Sequence, residues 1–287
     1  MRLIVSGATG YVGSQLLLSA AGQMAVVGAS PRALPDQWLL DLSQAHLFDA
    51  DRVTRDDVLV LAAAISSPDI CEREHERAWS INVTGSARII ETFLARSARV
   101  IFLSSDTVYG EQHDPFDEAQ PVNPAGPYGQ MKWEVESRFL GDPGFRSLRL
   151  SYVFSAADRF TRYLRDCAHK GVEVEIFDPF VRSVVHRQDV VDAVLATARQ
   201  WPNAPGGVVN VGGPQSLSRE AIAQTLRDAA WPRLCFRVVN PDAQFFRNRP
   251  RRITMRSPLL GLILGRRPHT LAEAAATEPL AQEIARD

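Results

Sequence analysis

Three glycines at positions 7, 10 and 13 constrain this chain more than any other feature. They follow Leu3, Ile4 and Val5, a β-favouring apolar run, and precede Val12, Leu16, Leu17 and Ala20 at helical spacing. The stretch Leu-Ile-Val-Ser-Gly-Ala-Thr-Gly-Tyr-Val-Gly therefore predicts strand, tight turn, helix. Each glycine has its own reason. Gly7 lets the chain reverse out of the strand, Gly10 lets backbone approach a phosphate, and Gly13 lets the helix lie close against the sheet. Unpaired N–H groups at the helix start favour an anion, so Gly7, Thr9, Gly10, Tyr11, Val12 and Gly13 are candidates for holding a dinucleotide. Taken alone, a glycine-rich turn in an α/β protein without a cofactor explains the pattern equally well.

The 287 residues, 45% of them hydrophobic, suffice for one large α/β domain or a domain with a smaller lobe. A net charge of −1 leaves no electrostatic footprint for nucleic acid or a membrane surface. Cys71, Cys167 and Cys235 are scattered without ligand spacing, which predicts no metal site and fits a reducing, cytoplasmic setting. The first strand follows Met1 directly, which argues against a signal peptide, and the apolar run Leu259 to Leu264 is too short to span a bilayer.

A second strand is predicted at Met24 to Gly28. No acid stands between Gly22 and Pro35 to accept from an adenosine ribose, whereas Ser30 and Arg32 could hold a 2′-phosphate. This points to NADP, with NAD as the alternative; as a loop arginine, Arg32 is equally well explained by solvent. Asp41-Leu42 follows a short apolar run and offers an acid to the adenine amino group. Val58 to Ala64 reads as a buried strand, and its small end, Ala62, Ala63 and Ala64, leaves room for a ligand. Asn82, amid apolar helical positions, reads as a satisfied core amide. Arg99 to Leu103 is the next buried strand and runs into Ser104-Ser105-Asp106-Thr107-Val108-Tyr109-Gly110. Strand and helix in repeated alternation predict a doubly wound parallel sheet with ligands at the carboxyl ends of its strands.

The proline-rich stretch 115–127 delivers the chain to a helix opening at Pro127. On it, Tyr128 and Lys132 lie four apart and share a face. A phenol titrates near ~10, so acid–base work near neutrality asks for a drop of roughly three units, about 4 kcal/mol. A lysine one turn away and a cationic nicotinamide are expected to supply it, with Lys132 also donating to the nicotinamide ribose. A surface Tyr and Lys sharing a helix face by chance is the plain alternative.

Gly-x-x-Gly-x-x-Gly, Ser-Ser-Asp-Thr-Val-Tyr-Gly and Tyr-x-x-x-Lys, in this order, resemble the extended short-chain dehydrogenase/reductase superfamily of nucleotide-sugar epimerases, dehydratases and reductases. Asn82-Val83-Thr84-Gly85, Pro115-Phe116-Asp117-Glu118, Pro127-Tyr128-Gly129, the Arg182 to Val190 segment and Leu264-Gly265-Arg-Arg-Pro268 extend the likeness through nearly the whole chain. Within it the chain is most similar to the dTDP-4-dehydrorhamnose reductase group, although Tyr109-Gly110 and the Arg182 to Asp189 segment are more like the epimerases. Where the dehydratases carry Asp-Glu, this chain has Asp106-Thr107.

The resemblance implies a Rossmann-type fold: residues 1–154 as the NADP-binding domain, 184–212 returning to its sheet, and 155–287 as a smaller C-terminal substrate-binding lobe. It implies a catalytic set of Ser105, Tyr128 and Lys132, with Asn82 supporting a proton relay. Ser105, Asp106, Thr107, Arg182 and Arg249 would face a nucleotide-sugar substrate, the arginines because guanidinium groups pair with phosphate oxygens. A homodimer is compatible with it. The expected activity is reduction of a nucleotide-activated 4-keto-6-deoxysugar by NADPH. The alternatives are an NAD-retaining epimerase or dehydratase, and a non-catalytic binding subunit.

Overall fold

The structure, a computed structural model, describes residues 1–280. Seven parallel strands form the central sheet: β1 (Arg2–Ser6), β2 (Ala25–Ser30), β3 (Trp38–Leu39), β4 (Asp57–Leu61), β5 (Arg99–Ser105), β6 (Phe145–Leu150) and β7 (Gly207–Val211), in the order β7-β6-β5-β4-β1-β2-β3. The order reverses at β1, where β4 is added on the side away from β2. This is the expected Rossmann-type arrangement, and it opens a crevice at the carboxyl ends of β1 and β4.

Alternation along the strands explains why both faces are covered. Ile4, Leu59, Leu61, Val100 and Phe102 pack into one core with Ile89, Phe93, Val135 and Phe139 from helices Ser86–Ala95 and Gly126–Phe139. Leu3, Val5, Val58, Val60, Ile101 and Leu103 point the other way, onto Leu16 of helix Gly13–Ala20 and Val190 and Val194 of helix Arg187–Arg199. Successive side chains take opposite faces, so a strand buried on both sides must be apolar throughout. β4 ends at Leu61, so Ala62 to Ala64 lie just beyond the strand rather than in it.

A second core fills the C-terminal half, with Phe154, Phe160, Leu164, Ile176, Ile222, Leu226 and Trp231 among its members. Val181–His186 pairs antiparallel with Gln215–Ser218 and parallel with Arg252–Ile253 and Val153–Phe154, while Val174–Phe177 pairs with Phe236–Val239. Of the stretch 184–212 expected to return to the main sheet, Gly207–Val211 does so. Residues 184–186 belong to the smaller sheet instead, and Arg187–Arg199 is the helix packed on the main one. An apolar run of that length suits a buried helix as well as a strand. On helix Arg159–Lys170, Phe160 and Leu164 enter the second core while Tyr163 is 47% exposed. Residues 281–287 of the expected lobe lie outside the described residues.

The glycine turn has the anticipated geometry. Gly7 sits at φ +78°, in the left-handed region, and Gly10 N donates to Gly7 O at 2.8 Å. A Cβ on Gly13 would drive into the Gly7 carbonyl oxygen, a backbone atom with nowhere to move. Alanine normally improves a helical position by up to about 1 kcal/mol over glycine. Gly13→Ala is expected to do the reverse, costing about 1–3 kcal/mol through overpacking. Urea unfolding checks this, and a stabilised variant would show that the turn yields.

Candidate active site

The turn after β1, the alanines after β4, and Ser105 to Thr107 after β5 converge at the carboxyl edge of the sheet. Ala63 N lies 2.9 Å from where a Gly7 Cβ would stand, so the two strand ends meet with no room for side chains. Helix Gly13–Ala20 has no side-chain cap, and in its first turn Ser14 N donates to Gly10 O at 2.9 Å. Thr9 and Gly10 are exposed at this mouth and Val12 is half-buried. Tyr11 reaches across to the second half, donating to Ser155 Oγ at 2.8 Å and Val153 O at 3.2 Å, with the Arg187 guanidinium 5.0 Å from its ring centroid. An open glycine cradle, small residues beside it and an uncapped helix together fit a dinucleotide pyrophosphate.

The residues expected to choose between cofactors are less open. Ser30 ends β2, buried, with its Oγ 3.3 Å from Gln37 Oε1. Arg32 is exposed in the turn beyond. Asp41 caps the short turn Leu42–Leu47, accepting from Ser43 N at 2.8 Å and Ser43 Oγ at 2.7 Å. Leu42 is buried, its carbonyl oxygen against Gly85.

Helix Gly126–Phe139 starts beside Thr107, whose carbonyl oxygen stands 2.7 Å from where a Gly129 Cβ would lie. That contact presses the helix onto the end of β5. Lys132 is buried there: Nζ donates to Leu103 O at 2.8 Å and sits 4.5 Å from the Phe102 ring centroid and 5.7 Å from that of Tyr128. Burial lowers its pKa to about 8, against the upward pull of the Glu136 carboxylate and of Cys71. Tyr128 differs from expectation. With no nicotinamide bound, burial first, then Cys71 and Asp106, push its phenol above the ordinary value rather than below it.

Ser105 is buried, with Oγ 3.2 Å from Asp106 Oδ1 and accepting from Thr107 N at 3.2 Å and Thr107 Oγ1 at 3.0 Å. Asp106 accepts from Ser151 Oγ at 2.9 Å and faces Arg182 Nε at 3.6 Å; burial raises its pKa, with Arg182 opposing. Asn82 is a satisfied core amide. Its Oδ1 accepts from Ile65 N at 2.8 Å and its Nδ2 donates to Ile65 O at 2.9 Å, so the amide pins the loop after β4 and makes no hydrogen bond to Tyr128 or Lys132. It sits in a π-helical turn, Ser80–Gly85, of the kind that often marks functional regions.

Ser105, Asp106, Thr107 and Tyr128 line one pocket of about 350 Å³ together with Arg182 and Arg249, so every expected substrate residue reaches one cavity. Other lining residues went unanticipated, among them Ser151, Tyr152, Phe180 and Arg219. Arg219 carried a readable signal. It opens helix Arg219–Ala229 directly after the Ser218 cap, where the helix dipole favours acids over bases. Against the expectation of no metal site stands, among the described residues, the group His186, Asp189 and His269, whose donor atoms lie within 4.8 Å of one another; the Arg266 guanidinium, 2.7 Å from Asp189 Oδ1, already supplies positive charge there.

A sequence profile described as the RmlD substrate-binding domain matches residues 1–257. The chain belongs to that family. Among curated relatives, the dTDP-4-dehydrorhamnose reductase of Mycobacterium tuberculosis is 27% identical over 209 residues, 69% of this chain and 66% of that protein. The match thus spans just under two thirds of the relative's length. Of the solved structures, MoeE5 in complex with UDP-glucuronic acid and NAD has a TM-score of 0.83 at 24% identity and covers 97% of both chains. The dTDP-4-dehydrorhamnose reductase of Bacillus anthracis in complex with NADP has a TM-score of 0.81 at 18% identity, over 96% of this chain and 97% of that one. The family's fold therefore runs through nearly the whole molecule. No helix among the described residues is long and apolar enough to cross a membrane.

Proposed function

We propose that the protein is an NADPH-dependent reductase of a nucleotide-activated 4-keto-6-deoxysugar. The observation that carries this reading is the shared pocket, lined by Ser105 at the end of β5, Tyr128 of helix Gly126–Phe139, and the arginines Arg182, Arg219 and Arg249. The hydroxyl groups suit a carbonyl under reduction, the guanidinium groups a diphosphate. Family membership and the relative's name as a dTDP-4-dehydrorhamnose reductase support the same substrate class.

In this reading Gly7, Thr9, Gly10, Tyr11, Val12 and Gly13 hold the pyrophosphate of the cofactor, Ala62 to Ala64 flank it, and Asp41 and Leu42 face its adenine. A bound reduced nicotinamide supplies the hydride. The chain's own groups do the rest. The Tyr128 phenol donates its proton to the oxygen of the reduced carbonyl, and Ser105 Oγ hydrogen-bonds that oxygen and orients it. Lys132, fixed on the Leu103 carbonyl, keeps a positive charge beside the phenol. Asp106 and Thr107 hold Ser105, and the arginines of the pocket supply positive charge for the phosphates.

An NAD-retaining epimerase is the second reading, and the Ser30 side chain favours it. Buried and turned to Gln37, it leaves Arg32 to receive a 2′-phosphate alone. Titration with NADPH and NADH, followed by nicotinamide fluorescence, separates the two. Micromolar NADPH binding with NADH much weaker is expected, followed by oxidation of NADPH with a dTDP-, UDP-, GDP- or CDP-linked 4-keto-6-deoxysugar. Co-purified NAD, or clear preference for NADH, would move the epimerase to first place, and binding of neither would end the catalytic reading.

A further inference from the structure

Three guanidinium groups reach the pocket, and they are not equivalent. Arg182 is committed to the protein: Nη1 donates to Val181 O and Nη2 to Pro250 O, both at 2.7 Å, while Nε faces Asp106 at 3.6 Å. Arg249 pairs with Asp69 and donates from Nη1 to Phe245 O at 3.2 Å. Arg219 has neither kind of partner. Among the described residues, no carboxylate lies within 4.0 Å of it and no side-chain hydrogen bond ties it down. It is instead held by aromatic rings, with its Cζ 4.9 Å from the Phe160 centroid and 4.5 Å from that of Phe180. Phe180 also lies 4.2 Å from the Arg182 Cζ, so a single ring carries both groups.

Stacking fixes a guanidinium through its faces and leaves its N–H edge free to bond. Burial lowers the pKa of Arg219, with Tyr152 and Asp158 pulling the other way, so the charge stands in a poorly solvated place. It also opens a helix, the end at which a cation is disfavoured and an anion welcome. Both costs disappear when an anion arrives. The geometry points to Arg219 as the principal anion anchor of the pocket, the residue whose free N–H edge takes a phosphate of the substrate's diphosphate. Arg182 shapes the wall beside it by ordering Asp106 and the Pro250 backbone. This rests on the pocket being a nucleotide-sugar site.

Calorimetric titration of the whole protein with dTDP, UDP and inorganic pyrophosphate tests it, in the wild type, Arg219→Met and Arg219→Lys. A lost charged hydrogen bond should weaken dTDP and UDP binding roughly 10- to 100-fold in Arg219→Met. Lysine should recover only part of this, because it lacks the paired donors. NADP⁺ affinity, measured alongside, should not move and reports that the variants fold; if the methionine variant does not fold, the lysine variant carries the comparison. Unchanged dTDP and UDP affinity in the variants, or no anion binding by the wild type, overturns the assignment. Pyrophosphate binding that depends on Arg219, without preference for nucleoside diphosphates and without turnover of sugar nucleotides, would keep the anchor and remove the nucleotide-sugar reading.

Discussion

Replacing Tyr128 by phenylalanine is expected to lower kcat roughly 10²–10⁴-fold, the usual worth of a positioned acid. KM and NADPH affinity should stay close to the wild type, because the change deletes one oxygen from a ring whose packing remains. The direction of the pKa shift makes the prediction sharper. Burial, then Cys71 and Asp106, keep the Tyr128 phenol protonated well past neutrality. Reduction of a carbonyl needs a proton donor, and this phenol is in the right form for it before anything binds. An epimerase starting with oxidation would need the phenolate, which the same burial opposes. Lys132 adds a pH signature. With its pKa lowered to about 8, first by burial, it is charged below that pH and loses its proton above it. Reduction should therefore decline on the alkaline side of about pH 8, and this limb should be absent from the residual activity of Lys132→Met. Stopped-flow oxidation of NADPH on both sides of the lysine's value of about 8 reads both effects. Full kcat in the phenylalanine variant would move the donor role to another pocket hydroxyl, such as Ser105 or Tyr152.

What could be read from the sequence was what is local. Gly7 and Gly13 announce themselves because a left-handed turn and a backbone contact admit nothing larger, and Tyr128 and Lys132 because one helical turn brings them onto one face. Partners distant in sequence were not legible. Arg182 looks like a free phosphate ligand until the fold brings Pro250 and Asp106 to it, 68 and 76 positions away. Asn82 looks available for a relay until Ile65 is seen to take both ends of its amide. Arg219 is the converse. Its sequence neighbours describe a capped helix start, and only the lack of a paired carboxylate among the described residues gives it meaning. The burial that raises the Tyr128 phenol is of the same kind, since spacing along a helix says nothing about how deeply a ring is covered.

A buried ion pair that no motif marks is expected to give the largest loss of stability. Glu136 lies on the helix that carries Tyr128 and Lys132, and Arg149 lies on β6. Arg149 Nη2 donates to Glu136 Oε2 at 2.6 Å, its Nε lies 3.1 and 3.2 Å from the two carboxylate oxygens, and Ser147 Oγ adds a bond to Oε1 at 2.7 Å. The side chains are 3% and 0% exposed, so water cannot replace a lost partner. Glu136→Leu strands the guanidinium beside the Tyr109 ring, 4.6 Å from its Cζ. The expected cost is about 3–5 kcal/mol, read from urea unfolding. Adding Arg149→Met should return much of it, because two apolar side chains can replace a buried pair at little loss. The same change reaches the chemistry. Glu136 holds the Lys132 pKa up against burial, so in a folded Glu136 variant the alkaline limb of the activity profile should shift to lower pH. A loss below about 1 kcal/mol in Glu136→Leu would put the pair among ordinary substitutions. A limb that stays at the same pH would mean that Glu136 braces the helix against β6 without setting the charge of Lys132.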